Sequence, residues 1–213
     1  MIDQMLEYLS KNHDVYLKAV LTHIGISLAV VTIGILIAVP LGVLCAKFLK
    51  LSQPVQGLFN IFRLIPSLAV LVVMMPVLGT GLAPAIFALT LLAFPAILIN
   101  TSIGFTGINP SVIEAARGMG MSPRRILFTV EFPLAFPMII TGIRTAAVEV
   151  IASAALAAYI GAGGLGELII IGLQVPSTAI LLVGGVSVAI LSIAADVILA
   201  ITQKRLTRHL WLN

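Results

Sequence analysis

The stretch 19–46 reads AVLTHIGISLAVVTIGILIAVPLGVLCA and contains no Asp, Glu, Lys or Arg in 28 residues. The hydrocarbon core of a bilayer is about 30 Å thick, and a helix needs roughly 20 apolar residues to cross it. The stretch is therefore long enough for one crossing with some tilt. It predicts a membrane-spanning helix and places the chain among the all-α integral membrane proteins.

The composition of the whole chain agrees with this class. Of its 213 residues, 60% are hydrophobic and only 9% are charged, whereas a soluble domain is nearer half apolar and a quarter charged. This excludes an ordinary water-soluble enzyme and a disordered chain. One cysteine, Cys45, permits no internal disulfide, and three histidines are widely scattered, so we expect no metal site.

Five spans are predicted in one membrane domain. An uncharged run of 50 residues, 64–113, is too long for one crossing, and prolines and glycines from Pro76 to Pro84 divide it into two. The spans are 19–46, 58–77, 84–106, 136–159 and 178–202. They leave an N-terminal segment, 1–18, in which Met5, Leu6 and Leu9 predict a short interfacial helix, and a tail, 203–213.

The positions of lysine and arginine predict the orientation of the spans. Three segments that would share one side hold nine of the 12 basic residues: Lys47, Lys50, Arg63, Arg117, Arg124, Arg125, Lys204, Arg205 and Arg208. Segments near spans that are rich in these residues stay in the cytoplasm. We therefore expect the N-terminus outside the cell and the C-terminus inside.

The segment 109–133 predicts two short helices at the cytoplasmic surface. Asn109-Pro110 and Ser122-Pro123 each combine a capping side chain with a proline at the first helical position. The helices would join near Gly120. A basic loop that merely follows the positive-inside rule is the alternative interpretation, but such a loop needs neither two capped helices nor small residues at Ala115 and Ala116.

The spacing within this segment resembles a known family motif. Glu114-Ala115-Ala116 is followed after three residues by Gly120, and after nine more by Val130-Glu131-Phe132-Pro133. This resembles the EAA loop of the permeases of binding-protein-dependent ABC importers, although Val130 and Phe132 replace the isoleucine and leucine of the family pattern. We call 109–133 the EAA segment. The stretches 63–69, 142–147 and 159–166 resemble the osmoprotectant branch, and the likeness covers about 15–205.

The resemblance implies a fold and a set of partners. The fold would be that of a type I (MetI-like) importer permease, with five transmembrane helices and cytoplasmic coupling helices within 110–131. The chain would lie in lipid, in a bacterial cell membrane, beside a second permease subunit, identical or a sister chain. A cytoplasmic ABC ATPase dimer would hold ATP and Mg, and an extracellular substrate-binding lipoprotein would deliver glycine betaine, carnitine or choline. Residues of the motif would couple to the ATPase: Glu114, Ala115, Ala116, Arg117, Gly120, Arg124 and Arg125.

This chain itself is not expected to bind ATP, a cofactor or nucleic acid, or to be an enzyme. It has no G-x-x-x-x-G-K-[ST] sequence. Gly161 to Gly166 formally fits G-x-G-x-x-G, but the dinucleotide site requires a preceding strand, and a membrane helix is predicted there. A tight turn at the outer end of the fourth span fits these glycines better.

Three charged residues are predicted at bilayer depth, where each must find a partner or water. Arg144 and Asp196 enter from the same side, so we expect a structural bridge between the fourth and fifth spans. Glu149, with Ser153 one turn later, is a candidate for the wall of the translocation path. Further candidates for the path are the polar or helix-disturbing positions Pro66, Ser67 and Asn100, which equally suit helix contacts. Gly161 and Gly163, in the expected tight turn, are candidates for a gate.

Other functions remain open at this point. A stand-alone secondary transporter would use an ion gradient and would usually show more spans or an inverted repeat. An ABC permease for another small solute is also compatible with the sequence. An intramembrane enzyme lacks a visible nucleophile and base. Neither the solute nor the identity of the second permease follows from the residues.

Overall fold

The structure is a computed structural model that describes residues 1–207, apart from the side chains of Leu49, Leu51, Phe62, Arg63 and Thr207. The predicted tail beyond 207 lies outside the described residues. The described chain is all-helical and contains no strand, which confirms the predicted class. The helices are α1 (Ile2–Lys11), α2 (His13–Lys47), α3 (Leu49–Leu64), α4 (Ser67–Leu78), α5 (Leu82–Thr106), α6 (Pro110–Gly118), α7 (Pro123–Ile126), a π-helical turn (Leu127–Glu131), α8 (Phe132–Ala154), a 3₁₀ turn (Ala155–Ile160), α9 (Leu165–Gln174) and α10 (Thr178–Thr207).

Four helical stretches in the described chain are long and apolar enough to cross a membrane. They are α2, α5, the continuous stretch Pro123–Ile160 that contains α8, and α10. The predicted spans 19–46, 84–106, 136–159 and 178–202 lie within them. The structure thus agrees with a polytopic membrane protein.

The second predicted span, 58–77, differs from the structure. It is divided between α3 and α4, with Pro66 as the break at φ −56° and ψ 131°. Proline has no backbone N–H, and the residue before it, here Ile65, is disfavoured in the α conformation. With 12 residues, α4 is shorter than a full crossing. The region 58–77 is therefore not one continuous helix but parts of two shorter ones, and a crossing at this place stays a prediction.

The contacts between helix ends define one end of the bundle, which we call the His23 end. His23 near the start of α2 bonds to the carbonyl of Ile151 near the end of α8, at 2.9 Å. The N–H of Gly81, just before α5, donates to Ile160 at 2.7 Å. The starts of α2 and α5 therefore lie beside the end of the α8 stretch.

The opposite end of the bundle, the Lys47 end, joins the other termini of these helices. Lys47 Nζ at the end of α2 lies 3.4 Å from Glu131 Oε2, just before α8. Gln203 near the end of α10 donates to the carbonyl of Pro137 near the start of α8, at 2.9 Å. Helices α2, α5 and α10 run towards the Lys47 end and α8 runs back, so α3 and α4 return the chain from the Lys47 end to the His23 end.

The core lies where α2 and α8 pack on α5. A Cβ added to Gly42 of α2 would lie 2.8 Å from the carbonyl of Leu98, and one added to Gly142 of α8 would lie 2.7 Å from the carbonyl of Ala96. Small residues at such contacts let helix backbones approach closely in membranes. The fully buried aliphatic residues around these contacts include Val30, Leu89, Ile97, Leu98 and Val150.

The predicted N-terminal helix is present as α1. Tyr8 and Leu9 pack against a second buried cluster that includes Leu165 and Leu168 of α9. On its exposed side, Lys11 donates to Glu7 at 2.6 Å, and this hydrogen bond lowers the pKa of the Glu7 carboxyl from its ordinary value. Helix α1 thus docks on the His23 end of the bundle.

Candidate functional site: the EAA segment and an intramembrane groove

The EAA segment begins with the capped helix that its sequence predicts. Asn109 Oδ1 accepts a hydrogen bond from the Ser111 N–H at 3.0 Å, and Pro110 occupies the first helical position. Ser122 Oγ likewise accepts from the Arg125 N–H at 3.4 Å and starts α7. Both helices therefore start with a cap that satisfies otherwise free N–H groups.

Gly120 makes the turn between the two helices. Its φ is +76°, its N–H donates to Arg117 at 2.9 Å, and the Met121 N–H donates to Ala116 at 3.2 Å. This pair of hydrogen bonds is the Schellman arrangement, which requires a left-handed residue at the glycine position. The backbone of the turn thus explains why a glycine stands in this place.

A π-helical turn connects α7 to α8. The N–H of Phe132 bonds to the carbonyl of Leu127, five residues earlier. Pro133 supplies the reason: it has no N–H to give to Thr129, and its ring would collide with that carbonyl in a regular α-helix. The helix widens by one residue in response. Such turns are often found at functional sites.

The motif residues divide between the surface and the interior. Glu114, Ala115, Arg117, Gly120, Arg124 and Arg125 are exposed, whereas Ala116 is buried. Ala116 has only 2% of its surface exposed within the chain, so contact of both alanines with a partner stays a prediction. Ala116 anchors α6 to the chain, and Ala115 faces outward.

Exposed apolar side chains accompany the charged motif residues. Met119 is 74% exposed and Phe128 is 69% exposed, and Val112 is exposed as well. Nothing in the sequence pattern distinguishes these three residues from the other apolar residues of the segment. Only the packing of the segment shows which of its apolar residues are uncovered, since Ile126, two positions before Phe128, is buried. The EAA segment therefore presents exposed apolar side chains among charged ones, a combination typical of interaction sites.

A groove of about 550 Å³ lies between α8 and α10, within two of the four helical stretches long enough to cross a membrane. Its lining is rich in polar side chains: Thr141, Arg144, Thr145, Val148, Glu149, Ser192, Ile193 and Asp196. We call it the intramembrane groove. It brings together the three charged residues predicted at bilayer depth.

Arg144 is the centre of a hydrogen-bond network in this groove. Its Nε and Nη2 donate to Asp196 Oδ1 at 3.1 and 2.8 Å. Its Nη1 donates to Gln203 Oε1 at 3.1 Å, and Gln203 Nε2 in turn donates to Thr141 Oγ1 at 2.9 Å. Arg144 and Asp196 thus form the contact that the sequence led us to expect, and Gln203 is a member of the network that the sequence analysis missed.

The remaining path candidates do not join Glu149 in the groove. Asn100 donates to Ala96 within α5 at 2.8 Å and lies where α5 contacts Gly142 of α8. Pro66 separates α3 from α4, and Ser67 is the first residue of α4. Ser153 is half-buried in α8, one turn beyond Glu149. The structure therefore assembles only part of the predicted set.

Gly161 and Gly163 lie in a turn at the His23 end, which we call the outer turn (161–164). Both have positive φ, at +78° and +85°, as has Gly164 at +86°. His23 is fully buried beside it: its ring accepts from the Leu165 N–H at 3.3 Å and donates to Ile151 at 2.9 Å. Since an amide N–H only donates and a carbonyl only accepts, His23 is neutral with its proton on Nε2.

The described residues contain no group of three His, Cys, Asp or Glu side chains placed to hold a metal ion. The two sites offer different kinds of chemistry. The EAA segment presents a surface for a partner, and the groove presents hydrogen-bond donors, acceptors and charges inside the membrane.

Comparison with known proteins decides the family. Residues 38–208 match the family described as "binding-protein-dependent transport system inner membrane component". The chain belongs to this family. The permease is 41% identical to the choline transport system permease protein OpuBB of Bacillus subtilis (strain 168), over 95% of this chain and 94% of that protein.

Two further relatives are similar over nearly their whole length. The permease is 41% identical to the glycine betaine/carnitine/choline transport system permease protein OpuCB of Bacillus subtilis (strain 168), over 97% of this chain and 95% of that one. It is 40% identical to the carnitine transport permease protein OpuCB of Listeria monocytogenes, over 97% and 94% of the two chains. The suspected resemblance to the osmoprotectant branch is thus confirmed.

A solved structure shares the fold of the permease. A chain of the MetNI methionine ABC transporter in an inward-facing conformation superposes with a TM-score of 0.82 and 26% identity, covering 92% of this permease and 98% of that chain. The MetI-like architecture expected from the EAA motif is therefore present. The permease is an inner-membrane component of an importer, and its relatives are transport subunits.

Proposed function

We propose that this permease forms the translocation path of an ATP-driven importer for quaternary ammonium osmoprotectants: choline, glycine betaine and carnitine. A separate cytoplasmic ATPase dimer would bind ATP and Mg, and an extracellular substrate-binding lipoprotein would deliver the solute. The substrate class comes from the names of the relatives, two of which mention choline and two carnitine. The ATPase partner comes from the surface of the EAA segment.

The observation that carries the coupling role is the division of α6 into two faces. Glu114, Ala115 and Arg117 point outward, while Ala116 is buried in the chain. A helix anchored on one side and exposed on the other, with Met119 and Phe128 uncovered nearby, suits insertion into a groove of another protein. Closure of the ATPase dimer would move this helix and rock the spans.

The two adjacent alanines give a matched test of this contact. In a C45A background, which removes the single cysteine of the chain, A115C should crosslink to a cysteine placed in the groove of the co-expressed ATPase. A116C is the control, because its side chain is buried and should not react. No crosslink from A115C at any ATPase position, in a complex that still hydrolyses ATP, would contradict the coupling role.

We further infer that the chain crosses the membrane five times, with the His23 end outside. The return of the chain through α3 and α4 supports a fifth, broken crossing, since α2 ends at the Lys47 end and α5 starts at the His23 end. Basic residues gather at the Lys47 end, as expected for a cytoplasmic side. In intact cells, S10C of α1 should react with an impermeant maleimide, and R117C should react only after lysis.

The intramembrane groove supports a second permease subunit. In the single chain, the Arg144 side chain is 28% exposed and that of Asp196 is 43% exposed, and a charge facing lipid at this depth is costly. A second permease, identical or a sister, would cover the groove and leave a path between the two chains. Glu149 would line this path and attract a quaternary ammonium.

The role of Glu149 is tested with a charge-neutral substitution. E149Q should lower choline uptake in proteoliposomes with little change in assembly, while E167Q, an exposed carboxylate in α9, should transport normally. Unchanged uptake by E149Q would remove Glu149 from the path. Uptake by the wild-type importer that persists without ATP and without the ATPase would instead indicate an ion-coupled transporter.

A further inference from the structure

The Lys47 end contains an ion pair that joins two spans beside the EAA segment. Lys47 Nζ, at the last residue of α2, lies 3.4 Å from Glu131 Oε2, at the last residue of the π-helical turn. The two residues are 84 positions apart in sequence and belong to elements whose helices both pack on α5. The pair is thus a tertiary contact and not a local one.

The environment of Glu131 makes this contact more than an ordinary surface pair. Its side chain is only 19% exposed, against 41% for Lys47. Glu131 Oε2 is buried and has no hydrogen-bond partner among the described residues. A carboxylate oxygen removed from water needs a compensating charge, and the Lys47 ammonium supplies it. Exposed pairs, in contrast, contribute little.

The position of Glu131 connects this pair to the EAA segment. The π-helical turn lies between α7 and α8, and Pro133 removes the N–H that would close a regular helical turn there. Any displacement of α6 and α7 would therefore reach α8 through the π-helical turn. Glu131 closes that turn on the side of α8, and Lys47 holds it to α2.

We propose that the Lys47–Glu131 ion pair transmits the displacement of the EAA segment to α2. Helix α8 receives the displacement through the chain itself, and α2 receives it through the ion pair. Helices α2 and α8 then move together. At the other end of the bundle, the His23 ring of α2 is hydrogen-bonded to Leu165 and Ile151. His23 therefore carries the movement of α2 to the outer turn. Lys47 and Glu131 are positioning residues in this scheme, which rests on the proposed coupling to an ATPase.

In the sequence, neither residue signals this contact. Lys47 counted only as one of the basic residues of the cytoplasmic side, and Glu131 stood at the variable place between Val130 and Phe132 of the motif. Their contact depends on the fold. No periodicity or spacing relates residue 47 to residue 131.

The test uses charge reversal in the complete importer, with both permease subunits, the ATPase and the binding protein in proteoliposomes. Solute uptake and ATP hydrolysis are measured together for K47E, E131K and the double variant K47E/E131K. Each single reversal should lower the solute carried per ATP by about tenfold, which is within the range of coupled charge pairs. The double variant should recover to within about threefold of the wild type.

The control is K50E. Lys50 is basic, exposed and three residues away, and no ion pair links it to a carboxylate within the described part of the chain, so its reversal should leave the ratio unchanged. If the reversals fail to assemble, E131Q and K47Q remove one charge without adding another and should lower the ratio in the same direction. A double variant no better than the single ones, or single variants with an unchanged ratio, would overturn the proposal.

The same experiment distinguishes a failure of the proposed function from a failure of the ion-pair proposal. Wild-type uptake that does not depend on ATP would contradict the ATPase coupling. Uptake that depends on ATP, together with a normal ratio in K47E and E131K, would contradict only the role of the ion pair.

Discussion

Asp196 of α10 accepts two hydrogen bonds from the guanidinium of Arg144 in α8, both at the same carboxylate oxygen, Oδ1, at 3.1 and 2.8 Å. The two residues are 52 positions apart and lie on two different helices of membrane-spanning length. The remaining nitrogen of the guanidinium, Nη1, donates to Gln203, which lies about two helical turns after Asp196 in α10. One side chain of α8 therefore fixes the register of α10 against it.

Removal of only one partner of this pair should destabilise the permease. R144M leaves Asp196 without its counter-charge, and we expect a loss of about 2 kcal/mol, less than the roughly 3–5 kcal/mol of fully buried pairs because both side chains are partly exposed. The double variant R144M/D196N should recover most of the loss. Thermal unfolding of the purified protein in detergent measures both. K11M, which breaks the exposed pair with Glu7, should not shift the transition.

A methyl group at Gly42 should separate α2 from α5. Its Cβ would lie 2.6 Å from Thr101 Cβ and 2.8 Å from the Leu98 carbonyl, so G42A should cost about 2 kcal/mol through overpacking. G25A is the matched control in the same helix, where nothing lies within 4 Å of the added carbon, and it should be neutral or slightly stabilising. Equal thermal midpoints for the two variants would show that α2 does not pack on α5 in this way.

The turn in the EAA segment should depend on the backbone of Gly120 and not on space around it. Nothing lies within 4 Å of a Cβ at Gly120, but its φ is +76°, so G120A should strain the turn by about 1 kcal/mol. We expect less solute carried per ATP, with the permease still assembled. G118A, at a position with equal space and no positive φ, should transport as the wild type does.

The stability of the permease should depend on both hydrogen bonds of the His23 side chain, the one that it donates and the one that it accepts. H23L leaves the Ile151 carbonyl and the Leu165 N–H without partners and should cost about 1–3 kcal/mol. H23Q offers one donor and one acceptor and should retain more of the stability. Thermal unfolding compares the two variants. If H23L were as stable as H23Q, the two hydrogen bonds of the ring would have no role in holding the outer turn.

Sequence reasoning reached the caps of the EAA segment because their causes are local. Each cap depends only on Asn109 or Ser122 and the few residues that follow it. The start of each helix can therefore be predicted from the sequence. Gly120 belongs to the same class. The break at Pro66 is also local: Pro66 was a helix-disturbing candidate within the predicted second span, and the structure divides the chain there into α3 and α4.

The sequence could not show which of Ala115 and Ala116 is exposed and which is buried. Adjacent residues on a helix differ by about 100° in direction, and only the packing of α6 on the chain decides which of them is covered. The same holds for Gln203, whose partners Arg144 and Thr141 lie in another helix, and for His23, which the sequence showed only as an isolated histidine.

The amino-acid sequence alone determined that this protein is a helical membrane protein with two capped helices in the EAA segment, because apolar length, charge placement and helix caps act over short distances along the chain. The resemblance of the EAA motif indicated the permease family. The tertiary structure decided which side chains meet across helices: Arg144 with Asp196 and Gln203, His23 with Leu165, and Lys47 with Glu131. These contacts depend on how helices distant in sequence are rotated and aligned. That alignment is set by the summed packing of many small residues, which no single stretch of sequence contains.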